Sequence, residues 1–428
     1  MKRNKLLALG IVLCFLFSCC AGARENIEAV SEGISMYSEE SEAAEATTIN
    51  YDYIRGIWVS QFDMHYVYCD KGVQRDEESY TALIKTMLAN IKRDNFNTVY
   101  LQLRPNGDSM YDSALFPVSR YISGAYGGDI EYDAVKIFIE HAHALGISVQ
   151  GWINPLRLMT VKEMEVIDDR FQIKKWYLQN NGRVVNVDGR LYLNPAYDEV
   201  RQLIVDGAAE IMERFEIDGI HMDDYFYPTT EAYFDIDAFW ESGYDDLGEF
   251  RRGNINLLVK GLYEAVKEAD RTALYGISPA GNLNSLRNYY YADVFLWCSE
   301  SGYIDYILPQ LYYGFLNRSC PFDKTLSDWA AIVTEPDIKL IIGLCAYKTV
   351  MAASGEIDAF AGTEEGKNEW INSKDILSRS LLEVYNEEKA SGYCFFCYQY
   401  LYDVLTGEHN PAFAEERQNI GELLYFIN

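Results

Sequence analysis

The chain has 428 residues, 49% of them hydrophobic, with 34 tyrosines and 7 tryptophans, enough for a large aromatic-rich core. Its formal charge of -28 argues against nucleic acid, whose binding rests on Lys and Arg neutralising phosphates, and against docking on an anionic membrane surface. Length alone would allow several domains, but α/β barrels run long as single units.

The first 23 residues read as an export signal. Lys2, Arg3 and Lys5 precede an apolar run, Leu6 to Phe17, that is short for a bilayer span. Two processing sites compete: Ala21-Gly22-Ala23 fits signal cleavage, and Leu16-Phe17-Ser18-Cys19 looks like a lipobox that would leave Cys19 acylated. The lipobox is preferred, because residues 24–50, rich in Glu, Ser and Ala without apolar periodicity, suit a disordered tether. A lipid on Cys19 would be the membrane link of an otherwise exported or secreted protein. From Tyr51 onward the texture is globular, giving one domain over 51–428.

Within it, β-branched and aromatic runs alternate with helical patterns. The predicted strands are Ile54–Gln61, Thr98–Arg104, Ser148–Asn154, Gly219–Asp224, Ala273–Pro279, Tyr306–Tyr312, Lys339–Tyr347 and Gly392–Leu401. Predicted helices include Tyr80–Asp94, Tyr132–Leu145, Glu199–Phe215, Asn254–Asp270 and Ser373–Ala390. Eight strand–helix repeats imply a parallel sheet closed into a (β/α)8 TIM barrel. An open doubly wound sheet is the runner-up; it is weakened because no glycine-rich nucleotide loop follows any strand.

Strand phase then nominates inward-facing side chains. The second strand offers Tyr100, Gln102 and Arg104, the third Gln150, Trp152 and Asn154, the fourth His221 and Asp223, the sixth Gln310 and Tyr312. Polar groups ending several strands together suggest a pocket floor at the carboxyl ends, where barrel enzymes keep their chemistry. Asp218 and Asp305 precede their strands and belong to the opposite, stabilising face. Asp223, Asp224, Asp108 and Asp63 follow theirs and can reach the pocket. Two carboxyl groups flanking a bond are the minimal machinery of glycoside hydrolysis. Phase turns Asp223 inward, and Asp224 joins it only if the strand bends at its end. Of six cysteines beyond the signal, Cys394 and Cys397 have C-x-x-C spacing but lie in a strand-like run and read as buried thiols. The histidines lack zinc-ligand spacing, so neither metal nor cofactor is implied.

Several motifs together resemble the glycosyl hydrolase-like ten family of bacterial exported proteins. They are Arg55-Gly56-Ile57-Trp58-Val59, Gln102 to Tyr111, Gly151 to Arg157, Leu191 to Pro195, Asp218 to Pro228, Gly276 to Pro279 and Tyr306 to Tyr312. Departures fall at Leu156, Tyr303 and Tyr313, where the family pattern usually carries larger aromatics. The resemblance implies a TIM-barrel hydrolase acting on a polysaccharide, with bacterial cell-wall glycan strands as the substrate class. It puts the catalytic carboxyls on Asp223 and Asp224 and Asp108 in the pocket, where Asp108 is also an alternative to Asp224 as the general acid. Arg104, Asn154 and Gln310 fall among its pocket residues, and Gln102, Trp152, Arg157, His221, Tyr225 and Tyr312 are expected to complete the sugar site. The strand-four pattern is also similar to that of chitinases, but their general acid falls here on Tyr225, so that mechanism transfers only if Asp224 substitutes.

Overall fold

A computed structural model describes residues 48–427. The export signal, the lipobox with Cys19 and nearly all of the expected tether lie outside the described residues. Eight parallel strands close into a barrel: β1 (Ile54–Val59), β2 (Thr98–Arg104), β3 (Ser148–Ile153), β4 (Gly219–Met222), β5 (Leu274–Ile277), β6 (Tyr306–Ile307), β7 (Lys339–Cys345) and β8 (Ala390–Phe396). Each pairs with its sequence neighbours, and β1 closes the ring by pairing with both β2 and β8.

All eight expected strands are present, and most differences lie at their carboxyl ends. Tyr306–Tyr312 shrinks to two residues because Pro309 has no N–H for the ladder; Gln310 recovers isolated bridges to Ala280 and Gly343. The predicted β7 and β8 ran too far, since Ala346 and Tyr398 already begin helices. The expected helices appear as Glu77–Arg93, Ala134–Ala144, Asp198–Arg214, Leu247–Ala269 and Ile376–Asn386. Each buries one apolar stripe, as Val200, Leu203, Ile204, Ala208 and Ile211 show in Asp198–Arg214. One element was not foreseen. Between β3 and β4 a three-stranded antiparallel sheet (Arg157–Thr160, Val184–Val187, Arg190–Leu193) rises on the carboxyl side of the barrel.

The outward faces of the strands join the helices in one large apolar core, whereas the barrel interior forms a separate cluster built on Trp58, Tyr100, Trp152 and Tyr306. Rings fill the interior because neighbouring strands lack side chains there. A Cβ on Gly276 would sit 2.2 Å from the Tyr306 ring, and one on Gly56 would sit 2.8 Å from Tyr100. The amino-terminal face is tied by Asp218, which accepts hydrogen bonds from the amides of Ile49 (2.6 Å) and Val149 (2.7 Å) and meets His143 Nε2 at 2.8 Å. Asp305 likewise accepts from the Tyr275 amide and pairs with Lys267.

The ring is clasped where it closes. The fully buried Asp63 accepts from the Ser60 amide and hydroxyl (both 2.6 Å) and from the Gln399 amide (2.6 Å), linking the segments after β1 and β8. This assigns Asp63 to closure rather than to the pocket, with its bonds to Ser60 and Gln399 directed into the fold.

Candidate active site

The carboxyl ends of β3, β4 and β6 converge on Asp223. After Met222 the strand ladder gives way, though the Asp223 amide still reaches the Ile153 carbonyl at 3.2 Å. The chain bends there, so that the Asp224 amide donates to Asp223 Oδ1 at 2.8 Å. Gln310 Nε2 donates to the same oxygen at 3.1 Å, and also lies 3.2 Å from the Ser278 carbonyl and 3.3 Å from its hydroxyl. The Trp152 indole N–H faces the Asn154 amide oxygen at 3.0 Å and the Asp223 carboxyl. Asp223 is buried and Asp224 half-buried, and the two carboxyl groups lie close enough for each to influence the other's ionisation. Asp224 thus lies within electrostatic reach of both Asp223 and Arg157.

Two acids held this close in a dry pocket resist ionising. Burial and then the neighbouring Asp224 charge push the Asp223 carboxyl well above its ordinary value. Burial raises Asp224 to about 6, moderated by the hydrogen bond with Asp223 and by the Arg157 guanidinium. Arg157 itself is stacked 4.5 Å from the centre of the Tyr225 ring, so both line the approach to Asp224. Tyr312 stands against Asp223 and packs on Phe396, with ring centres 5.9 Å apart. Phe396 also meets Trp152 (6.5 Å), Trp58 (5.8 Å) and Tyr347 (6.4 Å), making an aromatic cup beside the acids. A recess of about 160 Å³, lined by Tyr347, Met351, Ile357, Phe360 and Trp370, adjoins the cup at Tyr347.

Four expected pocket residues do other work. Arg104 turns away: a register slip in β2 sets Gln102 opposite Trp152 but Arg104 opposite Ile153. The extra residue reverses the phase, as a bulge does. The guanidinium lies outside the barrel, 4.4 Å over Phe116 and against Gly207, where a Cβ would come within 1.9 Å of it. Asp108 is wholly buried in the loop after β2, where its Oδ1 accepts from the Asn106 amide at 2.8 Å. Burial raises its pKa to about 6, but its charged neighbour is Arg120, not the β4 pair. His221 is sealed in the barrel interior. The Trp58 indole can only donate, so His221 Nε2 accepts (3.2 Å) and its Nδ1–H faces the Tyr306 hydroxyl at 2.9 Å. Burial lowers its pKa to about 3, leaving it neutral. Gln102 accepts from the Gln61 amide at 2.9 Å and so anchors the helix Gln61–Tyr68.

Asn154 sits beneath the pocket, its oxygen on Trp152 and its nitrogen on the Pro105 carbonyl at 2.9 Å. Phe396, Tyr347 and Ser278 were not singled out from sequence. Phe396 had a readable signal, since it shares the phase of Cys394 on β8 and ends the strand. Cys394 and Cys397 are both buried and unpaired. Among the described residues no His, Cys, Asp and Glu cluster is arranged to hold a metal ion.

The sequence profile of the family described as Glycosyl hydrolase-like 10 matches residues 53–359. The chain belongs to this family. Its relatives include "Glycosyl hydrolase YngK" of Bacillus subtilis, 29% identical over 69% of this chain, and "Glycosyl hydrolase DigH" of Escherichia coli K12, 27% identical over 80%. The matched stretch spans 61% of YngK's length and 82% of DigH's. Among solved structures, the glycoside hydrolase domain of PgaB (BpsB) from Bordetella bronchiseptica aligns with a TM-score of 0.54 at 14% identity, covering 85% of this chain and 98% of that domain. That likeness concerns the fold, a barrel shared with glycoside hydrolases. The family match covers β1 to β7 and ends before β8, which supplies Phe396 to the cup.

Proposed function

We propose that this family member is an exported hydrolase that cleaves glycosidic bonds in a polysaccharide, with cell-wall glycan strands as the substrate class. The proton shared by the Asp223–Asp224 pair is delivered to the leaving oxygen, and the carboxylate left behind supports positive charge developing at the sugar. The observation that carries the reading is the acid pair at the end of β4, held protonatable near neutral pH beside an aromatic cup. A general acid works best with its pKa near the operating pH, and Asp224 at about 6 meets that need. Rings such as Phe396 and Tyr312 suit the apolar faces of sugars, and Arg157 and Gln310 supply polar contacts around them. A lipid at Cys19 would hold the barrel at the cell surface, close to such strands.

The test is release of reducing ends from peptide-free cell-wall glycan, chitin and unrelated polysaccharides by purified protein. Activity that vanishes in Asp223→Asn and Asp224→Asn while glycan still co-sediments supports the assignment. Wild-type protein that binds glycan but releases nothing would make it a binding barrel instead.

A further inference from the structure

Resting on the hydrolase reading above, we infer that the recess beside the aromatic cup is a further sugar subsite, which takes one unit of the same glycan chain away from the bond that is cleaved. The recess lies on the carboxyl side of the barrel, where the helix that follows β7 (Ala346–Ala353) meets the helix Glu364–Asn372. Tyr347 belongs to both spaces. Its ring meets Tyr312 (5.9 Å) and Phe396 (6.4 Å) of the cup, and it also lines the recess.

Two observations point to a ligand. Trp370 lines the recess and is 4% exposed, yet its indole nitrogen has no hydrogen-bond partner. An indole N–H can only donate, and a buried donor without an acceptor is costly, so a ligand oxygen placed there would satisfy it. Phe360, also in the lining, is 92% exposed. A solitary exposed ring needs no explanation, but the turn that presents this one is pinned. Asp358 accepts from the Phe360 amide (3.3 Å) and from Lys348 Nζ (2.6 Å), and its own amide donates to the Lys367 carbonyl (2.9 Å). Lys348 Nζ donates in addition to the Tyr312 carbonyl at 2.7 Å. The turn is thereby tied to the residue that stands against Asp223.

The lining also selects the kind of ligand. Lys348 and Asp358 neutralise each other, and the remaining charge is that of Glu356, so the recess suits a neutral group and disfavours an anion. Phe360 and Tyr347 offer faces for the apolar side of a pyranose, and Trp370 offers a donor to one of its hydroxyl or acyl oxygens. At about 160 Å³ the recess is smaller than the roughly 300–1,000 Å³ of sites that enclose a drug-sized ligand, so it holds one ring rather than a length of chain. A glycan already seated on the cup reaches it by continuing past Tyr347. The family match stops at residue 359, so Phe360 and Trp370 are features of this chain beyond the matched stretch.

The test compares wild type with Phe360→Ala and Trp370→Phe on peptide-free glycan strands and on the shortest fragment of that glycan which wild type cleaves. Phe360→Ala is expected to raise KM about 10-fold on the strands through loss of one aromatic contact, with kcat unchanged and the short fragment unaffected. Trp370→Phe keeps a ring and deletes the donor, and is expected to raise KM on the strands by about 3- to 10-fold. An unchanged KM on the strands for Phe360→Ala, or an equal rise on long and short substrates, would overturn the inference. So would an effect confined to glycan that still carries its peptides, which would make the occupant a peptide. Each of these leaves the hydrolase reading intact. If wild type cleaves no glycan, that reading fails and co-sedimentation decides the recess: binding weakened in Phe360→Ala upholds it, and binding unchanged overturns it.

Discussion

Strand β4 carries a buried aspartate at each end, and the two ends behave oppositely. At the amino end Asp218 is fully buried yet surrounded by donors: two backbone amides and the His143 ring. At the carboxyl end Asp223 receives the Asp224 amide and one Gln310 N–H, but its nearest charged neighbour is another acid. Burial is common to both. What separates a structural carboxylate from a reactive acid here is whether its surroundings donate protons or compete for them.

The sharpest way to break this comparison is to neutralise the carboxyl end. Asp224→Asn and Asp223→Asn are each expected to lower kcat for glycan hydrolysis by about 100- to 10,000-fold, with unchanged circular dichroism. Rates near wild type in either variant would remove that residue from the chemistry.

Stability should then move in opposite directions at the two ends. Asp218→Ala strands three donors and is expected to cost about 1–3 kcal/mol in urea unfolding, with little change in kcat for the protein that remains folded. Asp224→Asn should instead raise the melting temperature at pH 7. The native carboxyl keeps a proton that the unfolded chain releases, so its contribution is full below the ordinary value of 3.8 and lost as pH climbs through about 6. Asparagine has no such loss. A lower melting temperature for Asp224→Asn at pH 7 would contradict the raised pKa.

Smaller effects follow further out. The hydrogen bond to Asp218 raises the His143 pKa above 6.5, so its stabilisation is complete below that value and fades as pH rises through the folded value. His143→Gln should flatten the melting-temperature profile across that window. The smallest change is expected for Arg104→Leu, which replaces a buried guanidinium lacking partners at both terminal nitrogens. Its KM should match wild type; a raised KM would put Arg104 back among the sugar-binding residues.

The barrel was legible because strand and helix periods alternate cleanly from Ile54 to Phe396, and Asp218 could be assigned to the stable face from its place before the strand. Phase reading identified Asp223, Gln310 and Tyr312 around one point. It failed at Arg104, where a bulge invisible in the sequence reverses the alternation. His221 shows a different limit: phase turned it inward correctly, but depth along the barrel axis decides between floor and interior. Whether Asp224 would face its neighbour depended on where the ladder ends, which a run of apolar and acidic residues does not disclose. The three-stranded insert went unseen because its strands are four residues each and two of them begin with arginine or end beside a turn.

The clasp at Asp63 also bears on when the site comes into being. It joins positions 336 residues apart, and Phe396 lies in the strand that makes this joint. A nascent chain that has emerged only as far as Asp224 owns both acids but has neither the wall that dries them nor the closed ring that fixes their spacing. Assembly of the site is therefore postponed until the last strand of the barrel has been made.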